Sequence, residues 1–215
     1  MQPSELSVLY ADDALLVLEK PAGLLSVPGR GEDKQDCLSA RAMRQFPDAL
    51  VVHRLDMSTS GLMLMARGAL AQRRLNDAFA NRSVSKRYTA VVDGLPVSLP
   101  DTWNVIDVPI AVDWPNRPRR MVDALQGKPS QTRWRLVSHD DRAHTSRVEL
   151  EPITGRSHQL RVHLKALGHP ILGDALYSGP RVESLSPRLL LHASAIEFAH
   201  PLDSQWMKFA STPTF

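Results

Sequence analysis

The segment His53-Arg54-Leu55-Asp56-Met57-Ser58-Thr59-Ser60-Gly61-Leu62 sets an arginine and a carboxylate two residues apart in a stretch built to turn. Ser58, Thr59, Ser60 and Gly61 all favour turns, through side chains or a free backbone that compete with regular structure. A carboxylate presented this way can act as a nucleophile or as the electrostatic partner of a developing charge. It does so only while ionised, and in a partly desolvated cleft that calls for a nearby cation. Apolar runs flank the segment, Leu50-Val51-Val52 before it and Leu62-Met63-Leu64-Met65-Ala66 after it, which predicts a loop held between two buried strands. Taken alone, Arg54 and Asp56 read equally as solvated residues of a strand connection.

Two further stretches carry side chains that could serve the same chemistry. In the run Val84, Lys86, Tyr88, Ala90, Val92, alternation puts all five on one side of a strand, mostly buried, so the Tyr88 hydroxyl needs a polar partner. A helix is expected to start near Thr154 or Ser157 and to run to Ala166, ended by Gly168, with Leu160, His163, Leu164 and Leu167 as its apolar stripe. On that helical phase Arg156 points inward with Leu160, while His158, Arg161 and Lys165 form a basic strip suited to RNA phosphates or simply to solvent.

The string H-R-L-D-M-S-T-S-G-L resembles the catalytic motif of the RluA-type pseudouridine synthases. Other segments resemble further motifs of that family, in family order: Lys20-Pro21-Ala22-Gly23 with Val27, Lys86-Arg87-Tyr88, Gly155-Arg156-Ser157-His158-Gln159-Leu160-Arg161, Gly168-His169-Pro170 through Asp174, and Arg188-Leu189-Leu190-Leu191-His192-Ala193. The resemblance implies isomerisation of uridine in RNA: the bond from ribose to uracil N1 breaks, the base turns and it rejoins through C5, with no cofactor and no metal. It implies Asp56 as the catalytic carboxylate, Arg156 as its cation and Tyr88 as the ring stacked on the target uracil. Leu190 and Leu191 would wall the uracil pocket. A uridine stacked in RNA must first be extruded, and Arg54 could fill the space it leaves. His53 would hold the loop or meet phosphate, and Lys86, Arg87, Asn116 and Arg117 join His158, Arg161 and Lys165 as expected RNA contacts. The Asp113-Trp114-Pro115-Asn116-Arg117-Pro118 insert and the lack of an added N-terminal domain point to the dual-specificity members, acting on 23S ribosomal RNA and the tRNA anticodon stem-loop. A catalytically silent RNA-binding or RNA-folding protein on the same fold is the competing reading; retention of Asp56, Tyr88 and Arg156 together speaks against it.

Positioning these groups falls to a chain of 215 residues, expected to form one catalytic domain over 1–215 and to act as a monomer. Short β-rich runs separated by Gly, Pro and Asp predict strands at Leu6 to Tyr10, Leu15 to Glu19, Val51-Val52, Leu62 to Ala66, Val84 to Val92, Thr132 to Val137, Ser146 to Leu150, Leu189 to Ile196 and Trp206 to Phe209. Besides the helix ending at Ala166, helices are expected from Leu38 to Phe46 and from Ala69 to Ala80, and Pro109 to Pro118 and Pro180 to Pro187 read as irregular excursions. Strands without regular βαβ alternation argue α+β, with a mixed, mainly antiparallel central sheet and flanking helices around a cleft.

The formal charge of +3 permits an RNA partner without requiring one. None of the eight histidines falls in H-E-x-x-H, and a glycosidase would need a second acid beside Asp56, which the motifs lack. The one cysteine, Cys37, excludes an internal disulfide and fits a reducing cytoplasm. The apolar runs fall short of a membrane span and Met1-Gln2-Pro3-Ser4-Glu5 lacks the pattern of a secretion signal, so a soluble, cytoplasmic protein is expected.

Overall fold

A computed structural model describes residues 6–98 and 102–215, and its chain gathers into two compact units. The first runs up to Lys86 and resumes from His192 to Thr214; the second holds Arg87 to Leu191 together with Phe215.

The first unit opens with β1 (Ser7–Ala11) and β2 (Leu15–Lys20), joined by a turn in which the Asp12 carboxylate accepts from the backbone of Ala14 and Leu15. Helix α1 (Leu38–Gln45) starts on Cys37, whose sulfur accepts the Ala40 N–H at 3.4 Å, and leads into β3 (Ala49–Val51). Strand β4 (Ser60–Arg67) pairs antiparallel with both β2 and β3. Seven of its eight residues are buried and apolar side chains dominate, as a strand covered on both faces requires. Helix α2 (Ala69–Ala80) covers this sheet with Ala71 and Leu75, which join Leu15, Val17, Leu62 and Leu64 in one core.

Strand β5 (Ser85–Asp93) carries the chain into the second unit, where β6 (Asn104–Asp107), β7 (Ile110–Val112) and β8 (Arg120–Val122) follow. β7 and β8 pair as a hairpin, so Pro109 to Pro118, expected to be irregular, holds β7 and most of the loop from 113 to 119 that leads to β8. Strands β9 (Gln131–Asp140) and β10 (Thr145–Pro152) form a long antiparallel pair, flanked by β6 on β9 and β5 on β10. Helix α3 (Gln159–Ala166) buries Leu160 and Leu164 in a core with Ala90, Val92, Trp134, Val148 and Leu150. The short α4 (Pro180–Glu183) follows, with its proline in the first turn where a missing N–H costs nothing.

The first unit is completed by β11 (Leu191–Ala199) and β12 (Trp206–Ala210). β12 is antiparallel to β11, whereas β11 runs parallel to β4, matching His192 with Ser60 and Ala193 with Gly61. The sheet is therefore mixed and mainly antiparallel, as the strand pattern predicts. Among the described residues no helix is long and apolar enough to cross a membrane.

Candidate active site

The loop between β3 and β4 is clamped on either side of Asp56 by the segment that follows β2. Ser26, buried, donates its hydroxyl to the Leu55 carbonyl at 2.7 Å and accepts the Leu55 N–H at 3.0 Å. One residue past Asp56, the Met57 carbonyl accepts from the Gly23 N–H at 2.9 Å and from Lys20 Nζ at 3.0 Å. Thr59 N–H closes the turn onto the Asp56 carbonyl at 3.1 Å. With both sequence neighbours tied down, the Asp56 backbone has little freedom, the kind of preorganisation that reacting groups need.

Lys20 is 0% exposed. Its ammonium donates to the carbonyls of Pro21 and Leu24, both at 2.8 Å, as well as to Met57, which uses all three of its N–H bonds. Burial pushes its pKa down to about 8, and the negative charge of Asp56 works against that shift. A buried cation thus stands within electrostatic reach of Asp56 inside the same unit, a role that sequence reasoning gave to Arg156 alone. The signal was present: a lysine closing the apolar run Leu15-Leu16-Val17-Leu18 is out of place unless its charge is used.

His53 holds the loop from its other end. Its Nε2 accepts the Leu64 N–H at 2.9 Å and its ring packs against Phe79 with centroids 4.6 Å apart. Burial, with Lys86 adding a smaller push, lowers its pKa to about 3, so the imidazole is neutral at ordinary pH, in keeping with its acceptor role. Of the two roles expected for His53, this geometry matches the loop-holding one. Lys86 lies over the Phe79 ring, Nζ 5.9 Å from its centroid, with its pKa lowered by burial. Arg54 is exposed.

Where the loop enters β4, a chain of hydrogen bonds crosses the unit. The Ser211 hydroxyl donates to Glu19 at 2.7 Å, Ser211 Oγ lies 2.9 Å from His192 Nε2, and His192 Nδ1 lies 2.9 Å from Ser60 Oγ. Because Ser211 spends its proton on Glu19, His192 Nε2 is the donor to it. Beside this contact Gly61 adopts φ +109, and a Cβ there would stand 2.4 Å from the Ala193 carbonyl oxygen. Only glycine admits both the angle and the approach. Neither Ser60 nor His192 was given a role from sequence, although a histidine inside the apolar run Leu189-Leu190-Leu191 to Ala193 is the kind of residue to question.

The second unit holds the other expected site residues. Tyr88 is half-buried and, like Leu190, packs against a core that includes Leu191, Leu160 and Val148. Arg87 pairs with Glu149 at 3.1 Å and lies over Trp103. Arg156 departs from the helical-phase argument: α3 begins at Gln159, so Arg156 belongs to the preceding loop and its side chain is exposed. Gln159 caps that loop, its Oε1 accepting from the Arg156 N–H at 3.0 Å and the Thr154 hydroxyl at 2.7 Å.

The basic strip expected on α3 does not form. Arg161 is buried and makes a two-pronged pair with buried Asp174 at 2.9 and 2.6 Å, which spends its charge on packing. His158 sits at the helix start in a left-handed conformation, φ 58, and its Nδ1 lies 2.6 Å from the Tyr177 hydroxyl. Lys165 alone of the three is exposed. The helix-phase rule fails here because it assumes that the first turn is already helical at Arg156 and His158. Asn116 braces the β7–β8 loop, donating its amide to both Asp113 oxygens at 3.0 and 3.1 Å, while Arg117 lies on Trp114. Among the described residues, His, Cys, Asp and Glu nowhere gather in threes as a metal ion would need.

Residues 14–166 match the RNA pseudouridylate synthase family. The chain is 47% identical over 210 residues, 98% of its length and 94% of the relative's, to the dual-specificity RNA pseudouridine synthase RluA of Escherichia coli O6:H1. The protein of the same name in Pasteurella multocida is 43% identical over the same shares of both chains. Among solved structures, human RNA pseudouridylate synthase domain containing 1 superposes with a TM-score of 0.80 at 29% identity, covering 100% of this chain and 87% of that one. Human RNA pseudouridylate synthase domain containing 4 gives 0.74 at 25% identity, covering 96% and 88%. The chain belongs to the RNA pseudouridylate synthase family.

Proposed function

We propose that this protein isomerises uridine to pseudouridine in structured RNA, with 23S ribosomal RNA and the tRNA anticodon stem-loop as its substrates. The observation that carries the reading is likeness over nearly the full length of both chains to relatives named for dual specificity. In the reaction the glycosidic bond to N1 breaks, a carbon–carbon bond forms at C5, the C5 proton leaves and N1 regains one.

Asp56 is the group that meets the reacting nucleotide, as nucleophile toward sugar or base or as the base that takes a ribose proton. The clamped loop supports this role, because a carboxylate that must meet one reacting atom needs a fixed backbone. Tyr88 stacks on the target uracil beside Leu190 and Leu191, and Arg156 joins Lys20 as a source of positive charge for Asp56. Arg54, exposed at the loop, replaces the extruded base in the RNA stack. Lys86, Arg87, Asn116, Arg117, His158 and Lys165 contribute contacts to RNA or hold the groups that make them. The protein works as a monomer in the cytoplasm, where its single thiol stays reduced.

The test is tritium release from RNA labelled at uracil C5, using a 23S fragment and a tRNA stem-loop as separate substrates. Release from both supports dual specificity, and release from one narrows it. Binding without release from either is the outcome of a catalytically silent RNA-binding protein and would end the reading.

A further inference from the structure

The β7–β8 hairpin ends in a loop whose surface does not resemble a solvated turn. Trp114 at its tip is 66% exposed, and the Arg117 guanidinium lies 4.7 Å from its ring centroid. With two thirds of its surface open, the indole keeps room for a second flat group. Next to it a cleft of about 290 Å³ opens between the hairpin and α3, with Arg119, Arg120 and Lys165 as its cations and Asp113 as its acid. That acid is already engaged by the Asn116 amide. Among the described residues, Arg117, Arg119, Arg120 and Lys165 make no ion pair with any carboxylate.

The site is also rigid. The Asp113 N–H donates to the Arg119 carbonyl at 3.2 Å and the Arg119 N–H to the Asn116 carbonyl at 3.0 Å, closing the loop on itself. Arg120 folds its guanidinium onto the carbonyls of Pro118 and Arg119 at 3.0 and 3.1 Å, and its N–H reaches the buried Tyr177 hydroxyl at 2.8 Å. That hydroxyl also lies 2.6 Å from His158 Nδ1, which ties the hairpin to the start of α3. An exposed aromatic face beside unneutralised cations, on a braced backbone, is what an unpaired nucleotide requires: a stacking surface for its base and positive charge for its phosphate. The cleft is near roughly 300 Å³, the lower end for small-ligand sites, which suits one sugar–phosphate unit and not a base pair.

We propose that Trp114, with Arg117 packed against it and Arg119 and Lys165 in the adjoining cleft, binds one unpaired nucleotide of the substrate RNA away from the isomerised uridine. This rests on the RNA reading given above. Trp114→Ala and Trp114→Phe are compared with wild type for binding a fluorescent stem-loop RNA, and for single-turnover tritium release at saturating enzyme. Trp114→Ala should weaken binding about tenfold, within what loss of one base–aromatic stack gives, while Trp114→Phe keeps most of the affinity. The saturated rate should stay close to wild type in both. On a blunt RNA duplex with no unpaired nucleotide Trp114→Ala should cost nothing. The double variant Arg119→Ala, Lys165→Ala should flatten the dependence of log affinity on log salt by about 0.7 for each phosphate that is no longer neutralised.

Wild-type affinity in Trp114→Ala, an equal loss on blunt duplex, or an unchanged salt slope in the double variant would overturn the site. If wild-type protein itself neither binds the stem-loop nor releases tritium, the RNA reading falls and the site falls with it. Wild-type turnover beside an unaffected Trp114→Ala removes the nucleotide site alone.

Discussion

The loop from 53 to 59 sets an aspartate near one arginine and the hairpin loop from 113 to 119 near two, and the two turns are braced in different ways. Asp113 is spent internally, its carboxylate bracing the turn through Asn116, while the cations around it face outward without carboxylate partners. Asp56 sits on a backbone braced by others, by Ser26 at Leu55 and by Lys20 and Gly23 at Met57. The first arrangement suits grip, where charge must be available and placement can vary. The second suits chemistry, where one group must be placed within fractions of an ångström.

If that division holds, damage to the loop around Asp56 should appear in rate and damage to the hairpin loop in affinity. The largest effect is expected for Asp56→Asn, which nearly preserves volume: tritium release should drop by about 10⁴-fold, the scale seen when a catalytic carboxylate is removed. RNA affinity should stay within about threefold, since basic contacts supply most of it. Near-normal turnover by this variant would dissolve the contrast between the loops.

Lys20→Met comes next. It removes the donor of the Pro21 and Leu24 carbonyls and takes a positive charge away from Asp56. Assayed well below its melting temperature, the variant should lose about 10–100-fold in saturated rate with RNA affinity unchanged, the pattern of misplaced catalytic groups. The wild-type rate should also fall as pH rises through about 8, where Lys20 loses its charge, and that limb should be missing from the variant. The stability term has the opposite sign. The folded protein holds this proton more weakly than an unfolded chain does, so the contribution of Lys20 rises with pH between about 8 and 10.5. An alkaline limb that persists in Lys20→Met would place its origin elsewhere.

His53 sharpens the comparison at acid pH. Its folded pKa of about 3 lies below the ordinary 6.5, so its stabilising contribution is complete above 6.5 and is lost progressively as pH falls toward 3. Thermal melts at pH 7 and pH 4.5 should show a smaller drop for His53→Gln, which cannot titrate and can still accept from Leu64. An equal drop would mean that other groups govern acid unfolding.

The smallest effect is expected at Trp103, which serves as a control for Trp114. Arg87, Arg133 and Arg135 lie 5.3, 4.8 and 5.1 Å from its ring, a denser arginine cluster than the hairpin carries. Each of the three, however, pairs with Glu149 or Glu151. Trp103→Ala should therefore leave RNA affinity within about twofold, because each of those arginines is already engaged by a carboxylate. A loss as large as that of Trp114→Ala would show that carboxylate pairing is no guide to which arginines meet RNA.

Sequence carried the strands and helices well wherever apolar periodicity ran uninterrupted, as in β4, β5 and α2, and it placed Asp56 on a loop between strands. It failed where a local rule was overridden from afar. Thr154 and Ser157 look like helix caps, yet Gln159 supplies the bracing, and the helix starts late enough to strip Arg156 of its inward phase. Arg161 looks solvated by spacing, and only the fold shows Asp174 beside it. The prolines of the β7–β8 hairpin hide it in the sequence, and the tasks of Lys20 and His192 stay hidden because they depend on the Met57 carbonyl and on Ser60 and Ser211, all distant along the chain.

Gly61 fixes how far this loop can be remodelled. Its missing side chain lets the start of β11 lie directly against β4, and its backbone angle is closed to other residues. Ser60, one position earlier, is buried and committed to His192. Four positions earlier in the same loop Met57 is 53% exposed, and only its backbone carbonyl is in use. Tolerance to change should therefore shift abruptly within a few codons, permissive at 57 and nearly closed at 60 and 61. Any attempt to breed new RNA preferences into this loop has its room at the front, while its rear edge is part of the scaffold.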